Sequence, residues 1–220
     1  MELYKTVRSE AAATQVIEKS KFIAHVKPVS SREEGDAFVA EIKARYKDAT
    51  HNVPAMVIGD KSQIQWASDD GEPQGTSGAP MVQMMVKEGL TNLVVVVTRY
   101  FGGIKLGTGG LVRAYTGSAK LGIEAAGICS VREIVRLRWQ LEYSYLAKLQ
   151  NMAAAKLDKG DGDEGACGGR FVIEDIEYGE KVVVQICTLP EGVERVKSIV
   201  ANLTAGTARM MEETADLAKV

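Results

Sequence analysis

The segment Leu93-Val94-Val95-Val96-Val97-Thr98 is an unbroken run of aliphatic and β-branched residues. A short, continuous run of this kind reads as a strand buried on both faces. Glycine is concentrated on either side of it. Of 22 glycines in the chain, ten fall between Gly71 and Gly117. They form two clusters, Asp69-Asp70-Gly71-Glu72-Pro73-Gln74-Gly75-Thr76-Ser77-Gly78 and Gly102-Gly103-Ile104-Lys105-Leu106-Gly107-Thr108-Gly109-Gly110. A buried strand framed by two glycine-rich turns sets the problem that the remainder of the chain has to solve.

The length, 220 residues, accommodates one large domain or two ordinary ones, and 45% hydrophobic residues suffice for a real core. Charge is nearly balanced, with 27 Lys and Arg against 29 Asp and Glu. That excludes a wholesale polyanion binder and leaves nucleic-acid contact to a local patch. The aliphatic run falls far short of the ~20 residues of a membrane helix, and the N-terminus has no basic-then-apolar signal pattern. A soluble, cytoplasmic protein with no membrane contact is expected. Cys129, Cys167 and Cys187 are odd in number and widely spaced, which argues against a disulfide framework or a cysteine zinc site. They read as small buried apolar residues.

Periodicity assigns the elements. Phe38, Ile42 and Tyr46 recur every four residues within 32–47, which predicts an amphipathic helix. Lys21 to Val26 and Ala55 to Ile58 read as strands. A helix is predicted from about Gly109 through Gly122, with Leu111, Tyr115 and Ala119 on its inner stripe. After Ile128 the texture changes. Ile134 to Leu141 alternates as a strand, 145–157 has helical spacing, and Asp158 to Gly169 is an acidic, glycine-rich loop. Phe171 to Ile176 and Lys181 to Thr188 read as strands, Glu191 to Leu203 as a helix, and Thr207 to Thr214 as a last strand. This order is the split βαβ pattern, and it places a domain boundary between Gly127 and Glu133.

The second glycine cluster matches no phosphate-binding template. Gly102 and Gly107 have the spacing of a P-loop, but Thr108-Gly109 follows where lysine is required. Gly107-Thr108-Gly109 begins a dinucleotide fingerprint that fails at Val112. The ingredients of an anion site are nevertheless present. Thr108 is placed to cap the next helix, whose free N–H groups would face an anion. Arg99, Lys105, Arg113 and Lys120 lie between Glu88 and Glu124 with no carboxylate among them. The alternative is that the glycines serve tight packing and the basic residues form a solvated face; both readings stand at this level.

In the first cluster, Asp69, Asp70 and Glu72 either hold a hard cation such as magnesium or satisfy backbone N–H groups in the turns around Gly71, Pro73 and Gly75. Turn stabilisation is the commoner use, so no metal is expected. Asp161-Gly162-Asp163 resembles a calcium loop only faintly, since Gly165 sits where a ligand is needed. Of the two histidines, His25 and His51, the second is the better candidate for a presented side chain, because Thr50 and Asn52 flank it ahead of a strand. A structural hydrogen bond is its commoner use.

Ser68 to Pro80 and Thr98-Arg99-Tyr100-Phe101-Gly102-Gly103-Ile104-Lys105-Leu106-Gly107-Thr108-Gly109-Gly110-Leu111-Val112-Arg113-Ala114-Tyr115 resemble the signature of the YigZ/Impact family. Lys19-Ser20-Lys21-Phe22 and Ala49-Thr50-His51-Asn52 match its earlier landmarks. Val53-Pro54 departs from the pattern, where many relatives carry a cysteine and an aromatic residue. The resemblance implies an α+β protein of two domains. Residues 1–130 would be an Impact-type domain of the ribosomal-protein-S5-domain-2-like kind. Residues 131–220 would be a ferredoxin-like (βαββαβ) domain similar to the last domain of the ribosomal translocase. Eukaryotic Impact proteins restrain the kinase that shuts down translation initiation in starvation, while the bacterial members have no assigned activity.

Three function classes follow. The first is a non-enzymatic, translation-linked factor that binds RNA or the ribosome through Arg99, Gly102, Gly103, Lys105, Gly107, Thr108, Gly109, Gly110 and Arg113. In it, Asp69, Asp70, Glu72, Thr76 and His51 form the polar side of a composite site, and no cofactor is needed. The second is a magnesium-dependent enzyme on a phosphorylated or nucleotide substrate, with magnesium at Asp69, Asp70 and Glu72. The third is a protein-interaction module with a partner in the translation machinery. The first is preferred, as a monomer.

Overall fold

The structure is a computed structural model that describes residues 2–154 and 171–219. The chain divides into two compact units, Leu3–Ser130 and, with the first two residues of the chain, Val131 onward. Together they make the α+β, two-domain architecture expected from the sequence.

The N-terminal unit runs β1 (Glu2–Val7), β2 (Ala11–Ile17), β3 (Ser20–Pro28), α1 (Arg32–Arg45), β4 (His51–Ile58), β5 (Ile64–Ala67), α2 (Gly78–Lys87), β6 (Leu93–Tyr100) and α3 (Gly107–Ala126). Five strands form an antiparallel sheet in the order β2-β3-β6-β4-β5. The β-branched run is the central strand, and Leu93 through Val97 are all 0% exposed. Its alternation resolves which layer each residue meets. Val95 and Val97 pack with Met81, Met85, Leu111 and Tyr115 of α2 and α3. Val94 and Val96 pack with Phe38, Val39 and Ile42 of α1. Burial on both sides, rather than parallel pairing, is what makes this strand uniformly apolar.

The helix read over 32–47 appears as α1, capped at its start by Ser31, whose hydroxyl accepts from Glu34 N. The helix predicted from Gly109 begins two residues earlier, at Gly107. Thr108 therefore lies inside the first turn and is not the cap; the N-cap position is Leu106, and no side chain caps it. The strands β1, β2 and β5 and the helix α2 were not legible as such. In α2, Pro80 falls in the first turn, where it breaks no helical hydrogen bond. Met81, Met84 and Met85 supply an apolar stripe at helical spacing.

The second unit contains β7 (Ile128–Leu141), which starts in the first unit, then α4 (Tyr143–Ala154), β8 (Val172–Tyr178), β9 (Val182–Thr188), a 3-10 turn (Pro190–Gly192), α5 (Val193–Leu203) and β10 (Arg209–Lys219). β1 joins its sheet through β7, and its own four strands pair antiparallel in the order β10-β7-β9-β8. That is the order into which a split βαβ unit assembles. One face packs Leu137, Val184 and Ile186 against Leu149 of α4 and Val196 and Val200 of α5. On the other face, Arg136 pairs with Glu174 and Asp216, and Arg138 with Glu177 and Glu212. The acidic loop 158–169, the end of the helix read over 145–157, and Cys167 lie outside the described residues. Cys129 is buried, as expected, but Cys187 is disulfide-bonded, so the reading of the cysteines as unbridged fails there.

Candidate functional site

The β3, β6 and β4 registers place Phe22, Arg99 and His51 side by side, on the sheet face that α2 and α3 cover. Arg99 is 5% exposed, with its guanidinium over the rings of both Phe22 and Phe101. Its charge is met by Glu72 of the first glycine cluster, with Nη1 to Oε1 at 2.6 Å. Nη2 donates to Ser20 Oγ at 3.3 Å, while the buried Nε has no hydrogen-bond partner. Tyr115 of α3, 0% exposed, donates its hydroxyl to the same Glu72 oxygen at 2.8 Å. Burial, and then the hydrogen bond to Glu72, push this phenol well above its ordinary range. Both glycine clusters thus meet in one buried polar core, since Glu72 belongs to the first cluster and Arg99 leads directly into the second.

His51 sits at the rim of this core. Its Nδ1 lies 2.8 Å from the Asp70 carbonyl oxygen, which can only accept, so Nδ1 carries the proton. In the neutral ring Nε2 is then a lone-pair acceptor, 3.8 Å from Glu72 Oε1. Gly71, at φ 90, lies against the same ring, which a Cβ there would approach to 3.3 Å.

The three carboxylates read as metal ligands each have a separate occupation. Asp69 takes over the capping of α2, where Ser77 makes no side-chain cap. Its Oδ1 accepts from Ser77 N, Ser77 Oγ and Gly78 N, and its Oδ2 from Gly75 N. Burial alone would raise this carboxyl, but the hydrogen bonds from Ser77, Gly75 and Gly78 hold it below the usual range. Asp70, at φ 48, accepts from Asn52 N at 2.6 Å and pairs with Lys43 at 2.5 Å. Glu72 belongs to Arg99 and Tyr115. Among the described residues no group of three or more His, Cys, Asp or Glu is placed to hold a metal. Thr76 is equally local, donating to Pro73 O at 2.6 Å.

The basic residues separate into two kinds. Arg99 is buried and neutralised by Glu72, and Lys120 pairs with Glu88, so neither belongs to a free basic surface. Lys105 and Arg113 are exposed and, among the described residues, make no ion pair. They line one groove of about 410 Å³ with Ile17, Glu18, Leu106 and Gly110. The Arg113 guanidinium folds back over Gly109, beside the uncapped start of α3. Gly103, Gly107, Thr108 and Gly109 are exposed around it, whereas Gly102 is half-buried against β3. Lys43 and Tyr115 were missed as members of the site. The signal for Tyr115 was present, because a tyrosine on the inner stripe of a helix needs a buried partner for its hydroxyl.

The family pattern described as the Impact N-terminal domain matches residues 18–123, which contain the polar core and the groove lining apart from Ile17. Over 209 residues the chain is 35% identical to the IMPACT family member YvyE of Bacillus subtilis (strain 168), spanning 95% of this chain and 90% of the relative. It is 30% identical over 213 residues to the IMPACT family member YigZ of Escherichia coli (strain K12), spanning 96% and 98%. A crystal structure of a protein described only as hypothetical is 28% identical and aligns over 96% of this chain and 97% of its own, with a TM-score of 0.56. Among the described residues no helix is long and apolar enough to cross a membrane. The pattern match and the near full-length identities agree: the chain belongs to the IMPACT family.

Proposed function

We propose that this chain is a non-enzymatic, translation-linked regulatory factor that binds RNA or the ribosome through the groove at the start of α3. The observation that carries this reading is the pair Lys105 and Arg113. They are exposed, have no carboxylate partner among the described residues and line the same groove, next to a helix start whose N–H groups have no side-chain cap. The polar core then has a supporting role. Glu72, Arg99 and Tyr115 hold the two glycine-rich loops in place, and removing one member of so buried a pair strands the other charge. Family membership supplies the link to translation, and a cytoplasmic monomer is the setting that suits it. In this reading residues 1–130, the Impact-type domain, carry the groove, and 131–220 form the ferredoxin-like domain.

Two basic contacts make a weak site, and full affinity would come from additional surface on the ribosome. Binding of a labelled single-stranded RNA to the full chain, followed across salt concentrations, tests the reading. Two phosphate contacts on a single strand predict a slope of log affinity against log salt of about −1.4. Joint replacement of Lys105 and Arg113 by Glu should abolish binding to RNA and to ribosomes. Binding that survives this double reversal, or that is undetectable at low salt in the unsubstituted chain, overturns the proposal.

A further inference from the structure

The second unit has an exposed aromatic feature that the groove of the first unit does not use. Tyr178 ends β8 at the turn into β9 and is 69% exposed, the most exposed large side chain among the described apolar and aromatic ones. Its ring stacks on that of Tyr143 at the start of α4, with centroids 6.4 Å apart and planes 23° from parallel. Tyr143 in turn donates its hydroxyl to Gly179 O at 2.6 Å, which pins the hairpin tip to the helix. Leaving a tyrosine ring in water forgoes the burial that usually holds such a side chain, so a pinned and open ring invites a partner. It borders a cavity of about 420 Å³ lined by Gln140, Glu177, Gly179, Glu180, Lys181 and Val183.

Charge decides what that partner is. Glu177 is committed to Arg138, and Lys181 to Glu142. Glu180 is exposed and, among the described residues, makes no ion pair within 4 Å, though its charge reaches Lys181. With Lys181 held by Glu142, the cavity's unpaired charge is negative and lies two residues from the open ring. The adjacent sheet face continues the trend, since Arg136 and Arg138 are each bracketed by two carboxylates. A phosphodiester chain would meet carboxylates there. A guanidinium meets a ring face and a free carboxylate together.

We propose that the Tyr178–Glu180 hairpin tip is a docking site for an arginine-bearing, basic segment of a protein partner, with a guanidinium over the Tyr178 ring and paired to Glu180. The surface is separate from the groove of Lys105 and Arg113 and does not depend on that groove's function. Octa-arginine peptide is the probe, titrated into the full chain at low salt while amide and tyrosine ring signals are followed by NMR. Shifts confined to residues around 143 and 178–181 are expected, with octa-lysine binding more weakly. Tyr178→Ala should weaken binding about three- to fivefold, as loss of an exposed cation–π contact implies. Tyr178→Phe should retain binding, and Glu180→Lys should reduce it further than Glu194→Lys, which changes net charge equally on a helix elsewhere in the unit. Retained dispersion in the amide spectrum shows that each variant is folded. The proposal is overturned if Glu180→Lys and Glu194→Lys weaken binding alike, or if Tyr178→Ala has no effect. It is also overturned if single-stranded RNA, rather than the peptide, shifts the Tyr178 signals and loses affinity in Tyr178→Ala.

Discussion

At the scale of single residues, the N-terminal unit treats its two histidines in opposite ways. His51 has a defined acceptor for one nitrogen and a carboxylate near the other. His25 is 4% exposed on β3, its ring tilted 38° to that of Tyr46 with centroids 4.8 Å apart, and its Nε2 is unpartnered. Burial, then the nearby charge of Arg45, hold His25 below its ordinary value of 6.5, and Glu10 opposes them only in part. The unfolded chain therefore takes up a proton as pH falls below about 6.5, before the folded chain does. Stability from this group is fully present above that pH and declines as the pH falls from there towards the lowered folded value. Urea unfolding between pH 5.5 and 7.5 should show stability falling on acidification, with a limiting slope of about 1.4 kcal/mol per pH unit. His25→Gln should flatten that slope. A slope unchanged in the variant would place the titrating group elsewhere.

At the scale of elements, the β2–β3 hairpin and the second glycine cluster are fitted to each other. The hairpin turns on two residues, Glu18 and Lys19, both with positive φ, the geometry that suits a tight two-residue connection. Gly102 lies directly on that turn. A Cβ there would come within 2.1 Å of the Lys19 carbonyl and 2.5 Å of Ser20 N, and Gly102 N already donates to Ser20 Oγ at 3.2 Å. The clash is with backbone, so neither side yields by a rotamer change. Gly102→Ala should lower the thermal midpoint of the N-terminal unit, costing about 1–3 kcal/mol or more. Gly109→Ala, whose Cβ would meet nothing closer than Arg113 at 3.7 Å, should leave the midpoint unchanged or slightly raised. Equal losses for both variants would show that the fit of Gly102 to the hairpin is unimportant. Ile17 and Glu18 of this hairpin also line the basic groove, so the packing at Gly102 sets the shape of one groove wall.

At the scale of the whole molecule, the division at Ser130 and Val131 cuts through β7 and leaves most of β1, which joins the second sheet through β7, on the other side, yet it spares the pairings of β10, β9 and β8. The pairings of β7 with β10 begin at Val131, and those with β9 at Val135. Each side also has its own apolar cluster. Chains 1–130 and 131–220, expressed separately, should each give a dispersed amide spectrum and a cooperative unfolding transition. Two halves that fold only when together would make the chain one cooperative unit. Much of this architecture was legible along the chain because it depends on local periodicity. The run from Leu93 to Val97, the four-residue spacing of Phe38 and Ile42, and the element order after Ile128 determine a doubly covered strand and a split βαβ unit by themselves. The helix α2 was harder to see, since a proline and a glycine cluster at its start mask the methionine stripe that follows. The division of labour among the basic residues was decided by tertiary structure alone. Arg99 and Lys105 are equivalent cations in sequence, six residues apart. Arg99 faces inward from a strand end onto Glu72, 27 residues away, and Lys105 faces a groove. An ion pair forms over a few ångströms, and which carboxylate reaches which cation is set by loop closure and strand register, for which the linear spacing of charges contains no information.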